Sequence, residues 1–158
     1  MKFFTPEYSS TVSVGRYQID TERQIRIEEY RGKIGLGYLR SMITAMGSDP
    51  CWSADHHGLI DFTGAELDLT ANDVLRLALM MRQEQNRSYG WLVFAVNSSA
   101  MYGVIRMLGY WSRNTERFRV FKSRPKADAW LERHIHESPS GIRETPPAPQ
   151  AAELHRAV

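Results

Sequence analysis

Apolar residues recur along this chain with two different periods, and the switches between them mark out its elements. Tyr17 and Ile19, then Ile25 and Ile27, alternate with polar neighbours on either side of the turn Asp20-Thr21-Glu22-Arg23, which predicts a half-buried β-hairpin. The Gly32–Gly37 stretch breaks that alternation. Leu39, Met42, Ile43 and Met46 follow the spacing of one helical face, which Gly47 and Pro50 close. Leu59 to Phe62 reads as a buried strand that enters a short acidic loop. A helix then runs from Ala71 to about Gln85, burying Val74, Leu77, Ala78 and Met81. The unbroken apolar run from Trp91 to Val96 predicts a central strand covered on both faces. Ser99 to about Trp111 predicts a helix with Met101, Val104, Ile105 and Leu108 inward. Phe118 and Val120 alternate with Arg117 and Arg119, as expected of a strand that has one wet face or lies near an edge. Ser123 and Pro125 then open a last helix with Ala127, Trp130, Leu131 and Ile135 on one side.

The order β-β-α-β-α-β-α-β-α calls for right-handed crossovers and predicts a single α/β domain. Its mixed, mostly parallel five-stranded sheet would be flanked by helices, with the opening hairpin supplying the antiparallel strand. Residues 14–136 would form this domain, after a flexible N-terminal arm at 1–13. Five of the seven prolines lie at or beyond Pro125, so residues 137–158 read as a disordered Pro-rich tail. At 158 residues the chain suffices for one core.

Charge and cysteine usage narrow the function classes. A net charge of +2 is too small for a polyelectrolyte, so no nucleic-acid partner is expected. The lone Cys51 excludes an internal disulfide and fits the reducing cytoplasm, where it is expected as a small buried hydrophobe. The N-terminus lacks the apolar core of a signal peptide, and no run approaches the ~18 apolar residues that span a bilayer. An integral membrane protein is therefore not expected.

Candidate chemistry is sparse. Thr70 and Asp73 have the T-x-x-D spacing of a capping box at a helix start, beside Asp68. A phosphate on Thr70 would meet free helix-terminal amides, but Asp68 and Asp73 would repel it. Asp61 lies within a buried strand, where a carboxylate needs a backbone donor or an arginine. Asp55-His56-His57 resembles a metal or hydrolase fragment, but adjacent strand residues face opposite ways, so it is expected as a polar lead-in to the strand. His134 and His136 are the other imidazole suppliers. Asn97-Ser98-Ser99 reads as a helix cap, with Ser98 and Ser99 able to meet an anion. Arg113, Arg117, Arg119, Lys122, Arg124 and Lys126 are six bases within fourteen residues, a candidate contact surface beside Tyr110 and Trp111. The methionines at helical spacing (Met42, Met46, Met80, Met81, Met101 and Met107) suit core packing or the wall of an apolar pocket. No P-loop, nucleophile elbow, metal set or cofactor motif is present in the sequence.

Three passages together resemble the SpoIIAA-like family of small bacterial proteins, related in fold to STAS and Sec14/CRAL-TRIO domains. They are the break Gly47-Ser-Asp-Pro50, the strand Leu59–Phe62 leading to T-x-x-D-V-L-R-L at Thr70, and Val120-Phe121 followed by Lys126-Ala-Asp-Ala-Trp-Leu131. The likeness covers roughly residues 14–135. It implies a non-enzymatic regulatory or protein-interaction module of the bacterial cytoplasm, acting through Thr63–Asp73 on a regulatory protein partner, with room for a homodimer. The alternative is a carrier or sensor of a lipid or other small apolar ligand. Thr70 falls at the phosphoacceptor place of the anti-sigma-antagonist proteins. Leu69 replaces their serine and no glycine follows Thr70, so an interaction surface is expected there rather than a switch.

Overall fold

The computed structural model describes residues 2–4, through their backbone alone, together with 13–83 and 89–137. In chain order it contains β1 (Lys2–Phe4), β2 (Val14–Asp20), β3 (Ile25–Gly35), α1 (Leu36–Gly47), β4 (His57–Asp68) and α2 (Ala71–Arg82). These lead to β5 (Leu92–Ala95), α3 (Ser99–Trp111), β6 (Phe118–Phe121) and α4 (Arg124–His134). The sheet order is β1-β2-β3-β4-β5-β6, antiparallel from β1 to β3 and parallel from β3 to β6. The α/β architecture and the mixed sheet are as the periodicities predict. Five strands are those expected, and Lys2–Phe4 adds a sixth against Gly15–Tyr17 where a loose arm was anticipated. The proposed Pro-rich tail lies outside the described residues, and α2 ends at Arg82 rather than near Gln85, because Gln83 is already extended.

Because β3 to β6 are laid down in sequence, crossovers of one hand place α1, α2 and α3 on the same face. Leu39, Met42 and Met46 of α1, Val74, Leu77 and Ala78 of α2, and Met101, Ile105 and Leu108 of α3 form the main core there. They pack on Tyr17, Tyr30, Ile34, Ile60, Phe62, Leu92, Phe94 and Phe118 of the sheet. Among the described residues α4 alone covers the other face, with Ala127 and Leu131 on Ile25, Leu59, Trp91, Val93 and Ala95. The strand Trp91–Val96 is buried throughout because both layers meet on it.

Two corrections concern the sheet. β3 does not stop at Gly32 but runs to Gly35, with Gly32 at φ 78, a conformation that a side chain would strain. β4 runs through the segment read as an acidic loop, pairing from Gly64↔Arg31 to Asp68↔Gly35. The reason is a bulge: between the pairs Glu29↔Asp61 and Arg31↔Gly64, β4 uses one residue more than β3. Inward positions therefore move from Ile60 and Phe62 to Ala65 and Leu67, a shift of parity that hides the alternation. The Asp61 carboxylate fastens the bulge, accepting from the Thr63 amide at 2.8 Å and the Thr63 hydroxyl at 2.6 Å.

Candidate functional site

On β3 the even-numbered side chains Arg26, Glu28 and Tyr30 point into the α1–α3 layer, and Ile25 faces α4. This reverses the amphipathic reading, in which the polar residues of the hairpin would be the solvated ones. The three form a ladder. Arg26 Nε donates to Glu28 Oε1 at 2.9 Å, and the Tyr30 hydroxyl donates to Glu28 Oε2 at 2.8 Å. All three are buried, and Tyr30 also stacks on Phe62 with ring centroids 4.8 Å apart. Burial, reinforced by the Glu28 charge, holds the Tyr30 phenol well above its ordinary pKa, so it stays a donor. Gly58, beside Arg26 on β4, leaves room for the guanidinium. A Cβ there would lie 2.9 Å from an Arg26 terminal nitrogen.

These groups border an apolar cavity of about 110 Å³ between the sheet and the three helices. Leu39, Ile43 and Met46 of α1, Val74, Leu77 and Met81 of α2, and Val104, Ile105 and Leu108 of α3 line it. Exposed Gly47 and half-buried Trp52, Met80 and Met81 are also in its wall, so it reaches the surface near the C-terminal ends of α1 and α2. Met46, Met80 and Met81 thus serve as pocket wall, while Met42 is simply buried core.

The polar residues singled out from the sequence do not converge on this cavity. Thr70 caps α2: its hydroxyl accepts from the Asp73 amide at 3.2 Å, and Asp73 Oδ2 accepts from the Thr70 amide at 2.9 Å. Those bonds hold the Asp73 carboxyl below its ordinary range. Asp68 pairs with Lys33 at 3.3 Å across exposed strand ends. On the opposite face of the sheet, Asp61 accepts from Arg124 at 3.1 Å, the pairing with arginine that its buried strand position demanded. Arg124 also reaches Asp128 and Glu29, and Glu29 holds Arg16, so the start of α4 is tied to β2, β3 and β4 by ion pairs.

The basic stretch is not one open surface. Arg117 is buried and donates to the Gly90 carbonyl. Arg119 lies over Trp91 at 4.7 Å and Trp130 at 5.4 Å, Arg124 is in the network just described, and Lys122 donates to the Ser99 hydroxyl at 3.1 Å. Arg113 and Lys126 are exposed. Ser98 caps α3, accepting from the Met101 amide at 3.2 Å. Cys51 is exposed rather than buried, because its turn is fixed by Asp49, which accepts from the Cys51 amide and the Tyr17 hydroxyl.

His56 and His57 are both buried, not a polar lead-in. His57 Nδ1 accepts from the Trp91 amide at 2.9 Å, which puts the proton on Nε2, 2.9 Å from the Ile135 carbonyl. Burial lowers the pKa of both imidazoles. Among the described residues no group of three or more His, Cys, Asp and Glu side chains is placed to hold a metal ion.

The architecture is similar to that of a crystal structure from Shewanella loihica PV-4, an uncharacterised protein of the DUF3478 family with a SpoIIAA-like fold. The identity is 16%, the match covers 78% of this chain and 98% of that one, and the TM-score is 0.52. The fold is SpoIIAA-like. No family model and no curated protein matches the chain. Within this SpoIIAA-like sheet the buried ladder of β3 is the feature that sequence reasoning missed. Its trace in the sequence is slight: Arg26 and Glu28, unlike Glu29, share the parity of Tyr30, and only the pairing of β3 with β4 puts Gly58 beside Arg26. Among the described residues no helix is long and apolar enough to cross a membrane.

Proposed function

We propose that this protein is a non-enzymatic binding module of the bacterial cytoplasm that takes a small, largely apolar molecule into the cavity beneath α1, α2 and α3. The observation that carries this is the open apolar cavity with a buried, hydrogen-bonded Arg26–Glu28–Tyr30 ladder in its wall. Ligand sites combine such apolar walls with a few fixed polar groups. At about 110 Å³ it suits a molecule of about benzene size or smaller, and it falls well short of a lipid acyl chain. Three methionines in the wall, with unbranched side chains, provide room to adapt. A screen of small apolar molecules, followed through the methyl NMR signals of Met46, Met80 and Met81, tests the reading. Saturable one-to-one shifts are expected, accompanied by a rise in Tm. A screen that moves neither would overturn it.

A second reading, a regulatory protein-interaction module, is favoured by α2. Leu75 and Leu79, one turn apart, are 42% and 48% exposed, directly after the Thr70 cap. This moves the expected contact from an acidic loop to a helix face. The double variant Leu75→Lys, Leu79→Lys would then keep the Tm while losing a partner captured by the wild type, or a homodimer seen by sedimentation. Retention of both sinks this reading.

A further inference from the structure

Glu28 decides what kind of polar group the cavity can accept. Its carboxylate has roughly four accepting positions. Among the described residues two are used, one by Arg26 Nε and one by the Tyr30 hydroxyl. The carboxylate is buried in the wall of the cavity, so what remains there is acceptor capacity beside an apolar space. The charges matter as much. Glu28 and Arg26 are held at 2.9 Å as a compensated pair, so this wall carries no net charge to offset that of an incoming ion. A carboxylate on the ligand would face Glu28, and an ammonium would face Arg26, each having lost its hydration. A neutral donor escapes both penalties and fills the open acceptor position. The opposite end of such a molecule would meet the apolar side chains of Leu77, Leu108 and the methionines.

We infer that the ligand class is a neutral, small, apolar molecule bearing one hydroxyl or N–H donor, an alcohol or amide in chemical type, with that donor on Glu28. This rests on the cavity being a ligand site, and the test separates the two claims. The intact chain is titrated with 1-butanol, its ether isomer 1-methoxypropane, butanoate and butylammonium, and binding is read from the methionine methyl shifts. The alcohol is expected to bind about tenfold tighter than the ether, which offers no donor, and tighter than either ion by at least as much. Tyr30→Phe retains a ring to stack on Phe62 and releases a further acceptor position on Glu28, so it is expected to widen the gap between alcohol and ether. Glu28→Gln is expected to narrow it. Equal binding of alcohol and ether, tightest binding by an ion, or an unchanged ratio in Tyr30→Phe would overturn the donor assignment and leave the cavity as a site. Binding by none of the four would overturn the cavity itself.

Discussion

Replacing Glu28 with leucine probes the energetics of the buried ladder most directly. The Arg26 and Glu28 side chains are 10% and 6% exposed, with their nitrogen and oxygen 2.9 Å apart. Burial at this level removes most of the water that would otherwise screen the guanidinium charge. Taking away one member of such a pair costs about 3–5 kcal/mol, because the guanidinium stays buried without the carboxylate it was built against. The Tyr30 hydroxyl loses its acceptor at the same time, worth about 1–3 kcal/mol unless it turns to another group. With a urea slope of about 2 kcal/mol/M, the midpoint should fall by roughly 2 M. The double variant Arg26→Met, Glu28→Leu provides the control. It removes both charges and should recover most of the loss, since buried pairs exchanged for apolar residues are often neutral in stability. Urea unfolding followed by tryptophan fluorescence and by circular dichroism measures both. A single variant within about 0.3 M of the wild-type midpoint, or a double variant as weak as the single, would mean that the pair is not buried as described.

Three further outcomes follow from the same structure. His57 is neutral in the fold and its pKa is lowered by burial, so the unfolded state binds the extra proton first. Its contribution should be complete above the unfolded value of about 6.5 and be lost as the pH falls through the lower folded value. Urea midpoints at pH 7.5 and 5.5 should therefore differ, and His57→Gln should shrink the difference; an unchanged difference refutes the assignment. Thr70→Ala should cost about 1 kcal/mol through loss of the cap, and a Tm equal to that of the wild type would contradict the capping box. Gly90→Ala should be far worse than an ordinary surface change. Its Cβ would lie 2.6 Å from the His56 carbonyl oxygen, a backbone atom that cannot rotate away. A loss at or beyond the upper end of the usual 1–3 kcal/mol for overpacking is expected in thermal unfolding.

The layered α/β plan was legible because long apolar stripes leave little choice. The stripe of α3 and the solid run Trp91–Val96 have one placement each in a doubly covered sheet. What escaped was governed by contacts between distant residues. Nothing local in Glu28 says that it will face Arg26 inside a core, since an alternating R-I-E pattern fits an exposed strand equally well. The segment Thr63–Asp68 was misread for a related reason: the bulge at Asp61–Thr63 exchanges the inward and outward positions, so a test of simple alternation fails across it. Arg117, Arg119 and Arg124 formed a charge cluster in sequence only. In space they are drawn separately to a carbonyl, two indole rings and a carboxylate network. Cys51 went the other way, its exposure being set by the turn around Asp49 rather than by its own affinity for the core.

The lengths of neighbouring strands have one more consequence. β4 pairs with β5 only as far as Asp61↔Ala95 and then continues to Asp68 beside β3. Strand edges of this kind present carbonyls and amides in the pattern that recruits another chain. Here the side-chain amide of Asn97, the second residue after β5, donates to the Thr63 carbonyl at 3.1 Å and the Ala65 carbonyl at 3.0 Å. One asparagine thus imitates a missing length of strand and guards the overhang against aggregation. Its replacement by leucine would leave the fold's core untouched while exposing a template for strand addition.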